Sequence, residues 1–369
     1  MSEWKECKLG NITEFTNGKS RPSETENGTI PIYGGNGILG FTDKFNCQGE
    51  TVIVGRVGAY CGSVYFESKP IWVSDNALYA IPKNNTDAKF LYYLLKSMDL
   101  NNQAEGSSHP LLTQTLLSAL NVLITDCIPE QRAIAGVLSS LDDKIDLLHR
   151  QNKTLDAMAE ALWRKMFVEE ADPEWVKARL GDYGEFKNGI NYSRNEKGDT
   201  EYSILNVRDI VESKYASMSN LEKVSISSRR ATPYLLKEGD VVIARSASPG
   251  ESSIVLEEID DLIYSGFSIR LRCYDKRHSI FLFQFLQNFK KEMEAFSDGT
   301  TLRNINQGIL NSIELLSPPE DTVNEFNDRV GIIYNRILLN QGQILTLSNL
   351  RDMLLPKLMP GEVRVQHER

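Results

Sequence analysis

The chain has 369 residues, of which 41% are hydrophobic and 25% charged, as is typical of a folded protein with two or three domains. Its net charge of −9 argues against a protein that grips nucleic acid over its whole surface, although basic loops on an acidic body are compatible with it. No apolar run approaches a membrane span and the N-terminus has no signal region, so we expect a cytoplasmic protein with no membrane contact. The five cysteines form no CxxC pair, which favours reduced thiols over disulfides or a zinc site.

Several short motifs occur twice along the chain in the same order. Trp4, Gly10 and Gly18 are matched 171 positions later by Trp175, Gly181 and Gly189, each within a similar motif (Trp-x-Lys or Trp-Lys, Leu-Gly, Asn-Gly). Further on, the segment 49–56 matches 239–245 at an offset of about 190, so the second copy carries an insertion. A period of this size exceeds that of solenoid repeats and indicates a duplicated domain.

Each copy is predicted to mix strands and helices. β-Branched and aromatic residues between glycine turns predict strands, and an amphipathic run in each copy predicts a helix. In the first copy the strands are Ile30–Tyr33, Thr51–Val57, Gly62–Phe66, Ala77–Ile81 and Asn121–Ile124, and the helix is Lys89–Met98. In the second copy the strands are Tyr202–Val207, Asp240–Arg245, Ser252–Leu256, Ser268–Cys273 and Ile313–Leu316, and the helix is Ile280–Phe296.

A long heptad segment comes after each copy. From Pro129 to about Val168, and again from Glu325 to Leu358, apolar residues alternate at steps of four and three. This pattern predicts two long helices, each able to serve as the partner helix of the other. The seam residues on which the prediction depends include Ile134, Leu138, Leu141, Ile145, Asn152, Ile333, Ile337, Asn340 and Ile344.

Polar residues interrupt both seams. Asn152 and Asn340 lie near the midpoints of their helices, where antiparallel pairing would bring them together as a pair that fixes the register. Alternatively, each asparagine faces solvent at a slightly mis-phased seam. Arg351 is an awkward member of the second seam, with Leu350 beside it.

Motifs that indicate catalysis were not found in the sequence. It has no GxxxxGK[ST] phosphate loop and no Asn/Asp-Pro-Pro-aromatic motif of amino-methyltransferases, and its four histidines are isolated. The segment Gly35–Gly40 matches GxGxxG, but the next residues, Phe41–Lys44, do not open a convincing helix, so a glycine-rich turn is expected. We therefore expect no catalytic residue, no metal site and no cofactor in this chain.

The repeated unit begins with Trp-Lys and Leu-Gly and continues with a β-rich segment, a Gly-Ser/Thr…Gln helix and an apolar strand. It ends in a heptad helix, which in the first copy opens with Ile128–Ile134 (IPEQRAI). Over essentially the whole chain this order resembles the DNA-specificity subunits of type I restriction-modification systems. The resemblance implies an α+β fold of two tandem mixed α/β target-recognition domains, each followed by a long helix, with the two helices forming an antiparallel coiled coil. The expected domains are 1–127 and 171–317, with spacer helices at 128–170 and 318–369, the latter including a C-terminal tail.

The resemblance also implies a non-catalytic subunit whose two domains each read one half of a bipartite, asymmetric site on double-stranded DNA. In that family two methyltransferase subunits, and through the complex two motor-nuclease subunits, bind this chain and carry the chemistry that uses S-adenosylmethionine, ATP and Mg²⁺. The first helix, about 57 Å long at about 1.5 Å per residue, would set the spacer between half-sites, and the helices would dock the methyltransferases, with Gln131 as a candidate contact. The second helix begins with PEDTV rather than PEQR, which leaves open whether both helix starts dock a partner alike.

Candidate DNA contacts lie in loops that carry the side chains able to read base edges and phosphates. In the first domain they are Asn17, Lys19, Ser20, Arg21, Asn36, Arg56 and Tyr60. In the second domain they are Lys187, Asn188, Tyr192, Arg194, Arg208, Arg245, Ser246 and Ser248. Arg56 and Arg245 occupy matching strand ends, where a salt bridge that holds the turn is an equal alternative. Gln114 and Gln307 lie where capping of a short helix is as plausible as DNA contact, and Trp4 and Trp175 are expected core anchors.

Two other classes of protein remain open. The first is a stand-alone methyltransferase or nuclease, which the missing nucleotide-binding and carboxylate-metal patterns disfavour. The second is a coiled-coil adaptor that binds protein or glycan. The adaptor is disfavoured because the two globular parts differ greatly within a repeated frame, as reading two different half-sites would require.

Overall fold

The computed structural model describes residues 3–83, 85–106, 110–193, 196–218, 221–296 and 305–365. It divides into two compact units, of which unit 1 is Met1–Leu147 together with Gln343–Arg369, and unit 2 is Leu148–Gly342. Each unit therefore contains one globular segment and parts of both long helices. The predicted α+β fold, with two tandem mixed domains each followed by a long helix, is confirmed.

The described residues of unit 1 form three small sheets. Its strands are β1 (Trp4–Lys8), β2 (Thr13–Asn17), β3 (Ile30–Gly34), β4 (Gly37–Thr42), β5 (Thr51–Gly55), β6 (Val64–Glu67), β7 (Trp72–Val73), β8 (Ala77–Pro82) and β9 (Asn121–Thr125). Its helices are α1 (Leu9–Ile12), α2 (Ala88–Ser97), α3 (Gln114–Ala119) and the start of α4 (Ile128–Arg164), with 3₁₀ turns at Gly58–Tyr60 and Leu100–Gln103. The strand orders are β1-β9, β2-β8-β5-β6 and β4-β3-β7.

Unit 2 repeats this arrangement. Its strands are β10 (Val176–Arg179), β11 (Gly184–Asn188), β12 (Thr200–Leu205), β13 (Glu222–Ile226), β14 (Val241–Ala244), β15 (Ser252–Ile254), β16 (Leu262–Tyr264), β17 (Ser268–Cys273) and β18 (Glu314–Ser317). Its helices are α5 (Val207–Glu212), α6 (Ser228–Ala231), α7 (Ser279–Phe296), α8 (Gln307–Ser312) and the start of α9 (Glu320–Leu358), with 3₁₀ turns at Leu180–Asp182, Thr232–Tyr234 and Lys276–His278 and a π-helical turn, Lys165–Glu169, after α4. The strand orders are β10-β18, β11-β17-β14-β15 and β13-β12-β16.

The two units have the same strand pairing. In unit 1, β3 pairs antiparallel with β4 and parallel with β7, and in unit 2, β12 pairs antiparallel with β13 and parallel with β16. They differ most in one connection: Gly35–Asn36 alone joins β3 to β4, whereas Asn206–Leu221, which includes α5, joins β12 to β13. The GxGxxG match is thus a glycine-rich hairpin turn, as predicted, and most of the insertion in the second copy lies in this connection.

The interior of each unit lies where its helices pack on its four-stranded sheet. In unit 1, α2 buries Phe90, Leu91 and Leu95 in the same cluster as Val52 and Val54 of β5. The helix begins at Ala88 and is capped by Asp87, whose side chain accepts a hydrogen bond from the backbone N–H of Phe90. The first turn of a helix leaves such donors without intrahelical partners. In unit 2, α7 takes the same role with a row of buried aromatic and leucine side chains.

The two long helices run antiparallel within each unit. In unit 2, Ala159 and Trp163 near the end of α4 share a core cluster with Phe326 and Val330 near the start of α9. In unit 1, the start of α4 packs in one cluster with the end of α9: Ile134 and Leu138 lie with Leu358. Burial of these apolar stripes, rather than intrinsic helix propensity, stabilises helices of this length.

Polar pairs explain the interruptions in the seams. In unit 2, Nδ2 of Asn340 donates to Oδ1 of Asn152 at 2.8 Å, which confirms the predicted pair. In unit 1, Nη1 of Arg351 lies 2.8 Å from Oδ1 of Asp142. Arg351 therefore interrupts the apolar seam because a carboxylate on the facing helix receives it.

The last described residues return to the first strand of unit 1. The chain turns at Gly361, whose φ of +74° suits glycine and where an added Cβ would lie 2.5 Å from Cε2 of the Trp4 ring. Arg364 then lies over the Trp4 ring, 5.5 Å from its centroid, and its Nη1 is 2.6 Å from Oε1 of the buried Glu130. Leu358 belongs to the same core cluster, so both ends of the described chain complete unit 1.

Candidate nucleic-acid interface

In each unit the loops with candidate polar residues meet at one end of the four-stranded sheet, which we call the loop edge. In unit 1 it holds Asn17 at the end of β2, Arg56 after β5, and the turn Ser74–Ala77 before β8. These segments coincide because β2 and β5 both pair antiparallel with β8. In unit 2 the loop edge holds the matching residues Asn188 and Arg245 and the turn Ser265–Ser268, since β17 pairs antiparallel with β11 and β14.

The backbone of the loop edge is held by the same hydrogen bonds in both units. In unit 1 they run from the N–H groups of Gly18, Lys19, Ser74, Ala77 and Arg56 to the carbonyls of Ala77, Val73, Tyr33, Ser74 and Asn76, at 2.8–3.0 Å. In unit 2 they run from Gly189, Ile190, Ser265, Ser268 and Arg245 to Ser268, Tyr264, Leu205, Ser265 and Phe267, at 2.9–3.1 Å. Each turn is thereby fixed to two neighbouring segments, so its tip residues have a defined place.

The repeated Asn-Gly motif has a steric cause. A Cβ on Gly18 would lie 1.9 Å from the carbonyl oxygen of Ser74, and a Cβ on Gly189 would lie 2.1 Å from that of Ser265. Neither distance can be tolerated without movement of the backbone. Glycine is therefore required where the two segments of each loop edge cross.

Most of the unit 1 candidates lie exposed at the loop edge. Asn17, Lys19, Asn36 and Tyr60 are exposed, and Arg56 is half-buried. Arg56 makes no ion pair with any described residue, so the salt-bridge alternative is not observed for it in the described part of the chain. Ser20 and Arg21 follow the edge, and Nη2 of Arg21 donates to the carbonyl of Leu39 at 2.8 Å and pairs with Glu24, which holds this arginine against β4.

The unit 2 candidates divide into two groups. Asn188, Arg245, Ser246 and Ser248 lie at the loop edge, where Nη1 of Arg245 approaches the carbonyl of Gly266 at 3.5 Å. The other candidates have partners elsewhere in the unit. The ammonium of Lys187 lies 5.0 Å from the centre of the Tyr234 ring, the hydroxyl of Tyr192 donates to Glu222, and Arg208 on α5 pairs with Asp209. Arg194 lies outside the described residues.

Two residues at the tips of the turns, Asn76 and Phe267, were not predicted from the sequence. Their carbonyls accept the matching hydrogen bonds from Arg56 and Arg245, so they occupy equivalent places. Asn76 is exposed and Phe267 is 66% exposed. The signal that could have found them is a serine two residues earlier in both copies, Ser74 and Ser265, although the tip residues themselves share no chemistry.

The candidate partner contact Gln131 is held by hydrogen bonds within unit 1. Gln131 is fully buried: its Nε2 donates to the carbonyls of Thr125 (2.7 Å) and Asn85 (3.1 Å), and its Oε1 accepts from the N–H of Asp87 (2.7 Å). Its side chain thus joins the start of α4 to unit 1, and the suggested partner contact stays a prediction. The matching position in α9 is Asp321, which is exposed, so the two helix starts are held differently.

Local contacts show what surrounds the two candidate glutamines and the two expected core tryptophans. Gln114 and Gln307 begin short helices capped by the side chains of Thr113 and Asn306, each of which accepts a hydrogen bond from a backbone N–H three residues on. Trp4 packs half-buried against the unit 1 core and Trp175 against that of unit 2. They are therefore core anchors that stay partly exposed.

An aspartate on α4 links this helix to the globular part of each unit. In unit 1, Oδ2 of Asp142 accepts a hydrogen bond from the hydroxyl of Tyr93 at 2.8 Å, beside its ion pair with Arg351. In unit 2, Asp156 accepts a hydrogen bond from the hydroxyl of Tyr215 at 2.7 Å. It also forms an ion pair with Lys214. Burial, together with the neighbouring carboxylate, raises the pKa of both tyrosines, so both stay protonated donors.

Metal-binding and membrane-spanning features were sought in the described part of the chain. No group of three His, Cys, Asp or Glu side chains is placed there to hold a metal ion. No helix among the described residues combines the length and the apolar character that crossing a bilayer requires.

The sequence matches the family described as the type I restriction modification DNA specificity domain, first over residues 1–157 and again over 173–347. The chain therefore belongs to this family, with one copy of the domain in each half. The specificity subunit of the type I restriction enzyme MjaIX from Methanocaldococcus jannaschii is 24% identical over 344 residues, covering 86% of this chain and 78% of the relative. The MjaVIII specificity subunit of the same organism is 21% identical over 403 residues, covering 99% and 94%.

A solved structure supports the same fold. The crystal structure of the S subunit of a type I restriction-modification system from M. genitalium is similar to this chain with a TM-score of 0.62. The two share 19% sequence identity, and the match covers 97% of this chain and 96% of that one. At this identity the likeness establishes the fold.

Proposed function

We propose that this chain is the non-catalytic DNA-specificity subunit of a type I restriction-modification complex, in which each target-recognition domain reads one half of a bipartite, asymmetric site. The observation that carries this proposal is the pair of loop edges, where one hydrogen-bonded frame presents different side chains. Two readers of different half-sites need such a combination. A fixed frame orients the reader on the duplex, and side chains that differ select different bases.

The exposed polar residues of each loop edge are the proposed DNA contacts. Arg56 and Arg245 have matching places and reach the surface beside small residues, which suits contacts to phosphates. The proposed reading domains are 1–127 and 171–317. Because the whole chain carries a net charge of −9, the attraction to DNA must be local to these edges and to partner surfaces. DNA affinity of the complex should fall with salt by about 0.9 log units per log salt for each phosphate contacted.

The long helices are the proposed spacer between the two half-sites. They contain 37 residues (Ile128–Arg164) and 39 residues (Glu320–Leu358), hence about 55–60 Å of helix at about 1.5 Å per residue. Insertion of one heptad into both helices preserves the seam and should lengthen the gap between the half-sites. An insertion of four residues into one helix alone would shift the seams out of register and should abolish assembly.

The outer face of α9 is the proposed docking surface for the methyltransferase subunits. In unit 2, Ile332 and Leu339, one heptad apart, are 76% and 62% exposed, and in unit 1, Met353 is 53% exposed. Apolar side chains repeated on the outside of a coiled coil suit packing against further helices. In this proposal two methyltransferase subunits dock here and bring S-adenosylmethionine chemistry, motor-nuclease subunits join with ATP and Mg²⁺, and the complex acts in the cytoplasm.

The test is to co-express the chain with its methyltransferase subunit in a methylation-free host and to map the modified bases. A single asymmetric two-part motif with a fixed gap is expected. If no base is modified, while the same methyltransferase is active with another specificity subunit, the proposal fails and a coiled-coil adaptor becomes the better account. The docking surface is tested separately by Ile332→Asp with Leu339→Asp, which should abolish co-purification of the methyltransferase. The control is Thr154→Asp, an exposed position on α4 outside this surface, which should not.

A further inference from the structure

The two tip residues are placed alike but differ in chemistry. Asn76 and Phe267 each follow a fixed serine by two positions, and the carbonyl of each is bound by the backbone N–H of the arginine at the neighbouring strand end. The turn behind each tip is held to the crossing Asn-Gly segment by further backbone bonds. The frame therefore presents the side chain at either position from the same place on its loop edge.

Neither tip side chain has a partner among the described residues. Asn76 is exposed with its amide free to donate and accept. Phe267 is 66% exposed, and it makes no ring contact with the described aromatic residues. Singly exposed apolar residues are common on proteins. This one differs because it lies at the loop edge beside Arg245, whose backbone N–H donates to its carbonyl, and the other side chains that reach the surface there, such as Asn188 and Ser246, are polar.

We propose that residues 76 and 267 determine the specificity of their half-sites, with Asn76 reading a base edge by hydrogen bonds and Phe267 contacting the C5-methyl group of a thymine. This inference rests on the proposed DNA-reading function and names the base chemistry each edge takes. A carboxamide can donate and accept at the same time, as the N6 and N7 edge of adenine requires. A phenyl ring makes no such bonds, and the thymine methyl is the apolar feature of the major groove.

The test uses the assembled methyltransferase complex and its mapped motif. Phe267→Ala and Phe267→Asn should each relax one position in one half of the motif, at a thymine on either strand, and leave the other half unchanged. Asn76→Ala should relax one position in the opposite half. The control is Tyr274→Ala, since Tyr274 is an aromatic residue 75% exposed at the other end of the same strand, and it should leave the motif unaltered.

A second measurement isolates the methyl contact. Methylation rates are compared on duplexes that carry thymine or deoxyuridine at the position relaxed by Phe267→Ala. The wild-type complex should lose about 10-fold in rate on deoxyuridine, in the range of a single base contact, whereas the Phe267→Ala complex should treat both duplexes alike. Equal wild-type rates on the two duplexes would overturn the methyl contact, and would assign any relaxation to stacking instead.

The failures of the two proposals are distinguishable. If the wild-type complex modifies no two-part motif, the proposed function itself is wrong. If it modifies such a motif and neither Phe267 variant changes it, only the inference about the tips fails. The Tyr274→Ala control separates a local effect on recognition from general loss of an exposed aromatic side chain.

Discussion

Units 1 and 2 hold the long helix α4 with the same chemistry taken from different parts of the chain. In unit 1, Asp142 receives a tyrosine hydroxyl from α2 and the guanidinium of Arg351 from α9. In unit 2, Asp156 receives both the tyrosine hydroxyl and the cation from the connection between β12 and β13, through Tyr215 and Lys214. The corresponding connection in unit 1 is the hairpin turn Gly35–Asn36. The insertion in the second copy is therefore part of the attachment of α4, not merely a longer loop.

Some features are the same in units 1 and 2, and others differ between them. Sheet order, the crossing at Gly18 and Gly189, and the hydrogen bonds of the loop edges are preserved. The tip residues of the loop edges differ, and so do the segments that supply the contacts to the aspartate on α4. The units thus share the backbone geometry that holds neighbouring segments together. They differ in the tip side chains and in the residues that contact the aspartate on α4.

The largest effect is expected at the two crossing glycines. Gly18→Ala and Gly189→Ala should each destabilise their own unit by about 3 kcal/mol, because the new Cβ meets a carbonyl oxygen of the backbone. Hydrogen exchange of the strands, followed by mass spectrometry, reports the two units separately. The control is Gly136→Ala on α4, where a Cβ would meet nothing within 4 Å and the helix should gain about 0.5–1 kcal/mol. A large destabilisation by one substitution and none by the other would show that the two loop edges are not held by the same backbone frame.

The aspartates on α4 come next. Asp142→Ala leaves the hydroxyl of Tyr93 without its acceptor. It also leaves Arg351, whose side chain is 19% exposed, with Asp352 as its remaining carboxylate, and should cost about 2–3 kcal/mol in total. Asp156→Ala should cost less, about 1–2 kcal/mol, because its cation Lys214 is 36% exposed and is partly solvated by water. The measurement is the hydrogen exchange rate of α4. The control is Asp143→Ala, which changes the exposed neighbour of Asp142. Equal losses at Asp142 and Asp156 would show that the two attachments do not differ as described.

The smallest effect, and the one of opposite sign, is expected at the asparagine pair. Replacing Asn152 and Asn340 together by leucine removes a buried polar contact and should stabilise the helix pair in unit 2 by about 1 kcal/mol. Asn152→Leu alone should destabilise it, since Asn340 is fully buried and loses its acceptor. Urea denaturation monitored by circular dichroism measures both. If the double variant is the less stable one, the pair contributes stability rather than register.

The double variant also has a consequence for recognition. If the asparagines fix the register, their loss permits helix pairings shifted by a heptad. The modified motif of the complex should then show a second gap length beside the original one. A single unchanged gap would assign the register to the globular units instead.

The sequence predicted the elements whose patterns are local. The strands around Thr51 and Ser268 and both amphipathic helices follow from alternating or helical spacing of apolar residues, and their observed bounds lie within a few residues of those predicted. The short edge strands β1 and β10 were not predicted because their residues are mostly polar and exposed. They form strands only because β9 and β18 offer them hydrogen-bonding partners far away in sequence.

The candidate site was predictable in outline. Asn17 and Arg56 were predicted separately as loop candidates, and the structure brings them to one end of the sheet because β2 and β5 both pair antiparallel with β8. Side-chain partners were not predictable. That Lys187 lies over Tyr234, or that Arg351 meets Asp142, depends on which segments fold against each other across long stretches of chain. Phe267 was not predicted because phosphates and most features of base edges are contacted by polar side chains.

The closure of unit 1 by residues from both ends of the described chain sets an order of events during synthesis. Unit 2 is a continuous stretch, Leu148–Gly342, and all of it has been made before the end of α9 appears. Unit 1 lacks Leu358, Met359 and the segment against Trp4 until then. Because domains fold as their residues emerge, unit 1, most of which precedes unit 2 in the chain, completes its core after unit 2 has been made. Unit 1 therefore stays unfinished while unit 2 is synthesised, and premature termination before α9 ends leaves unit 1 without these contacts.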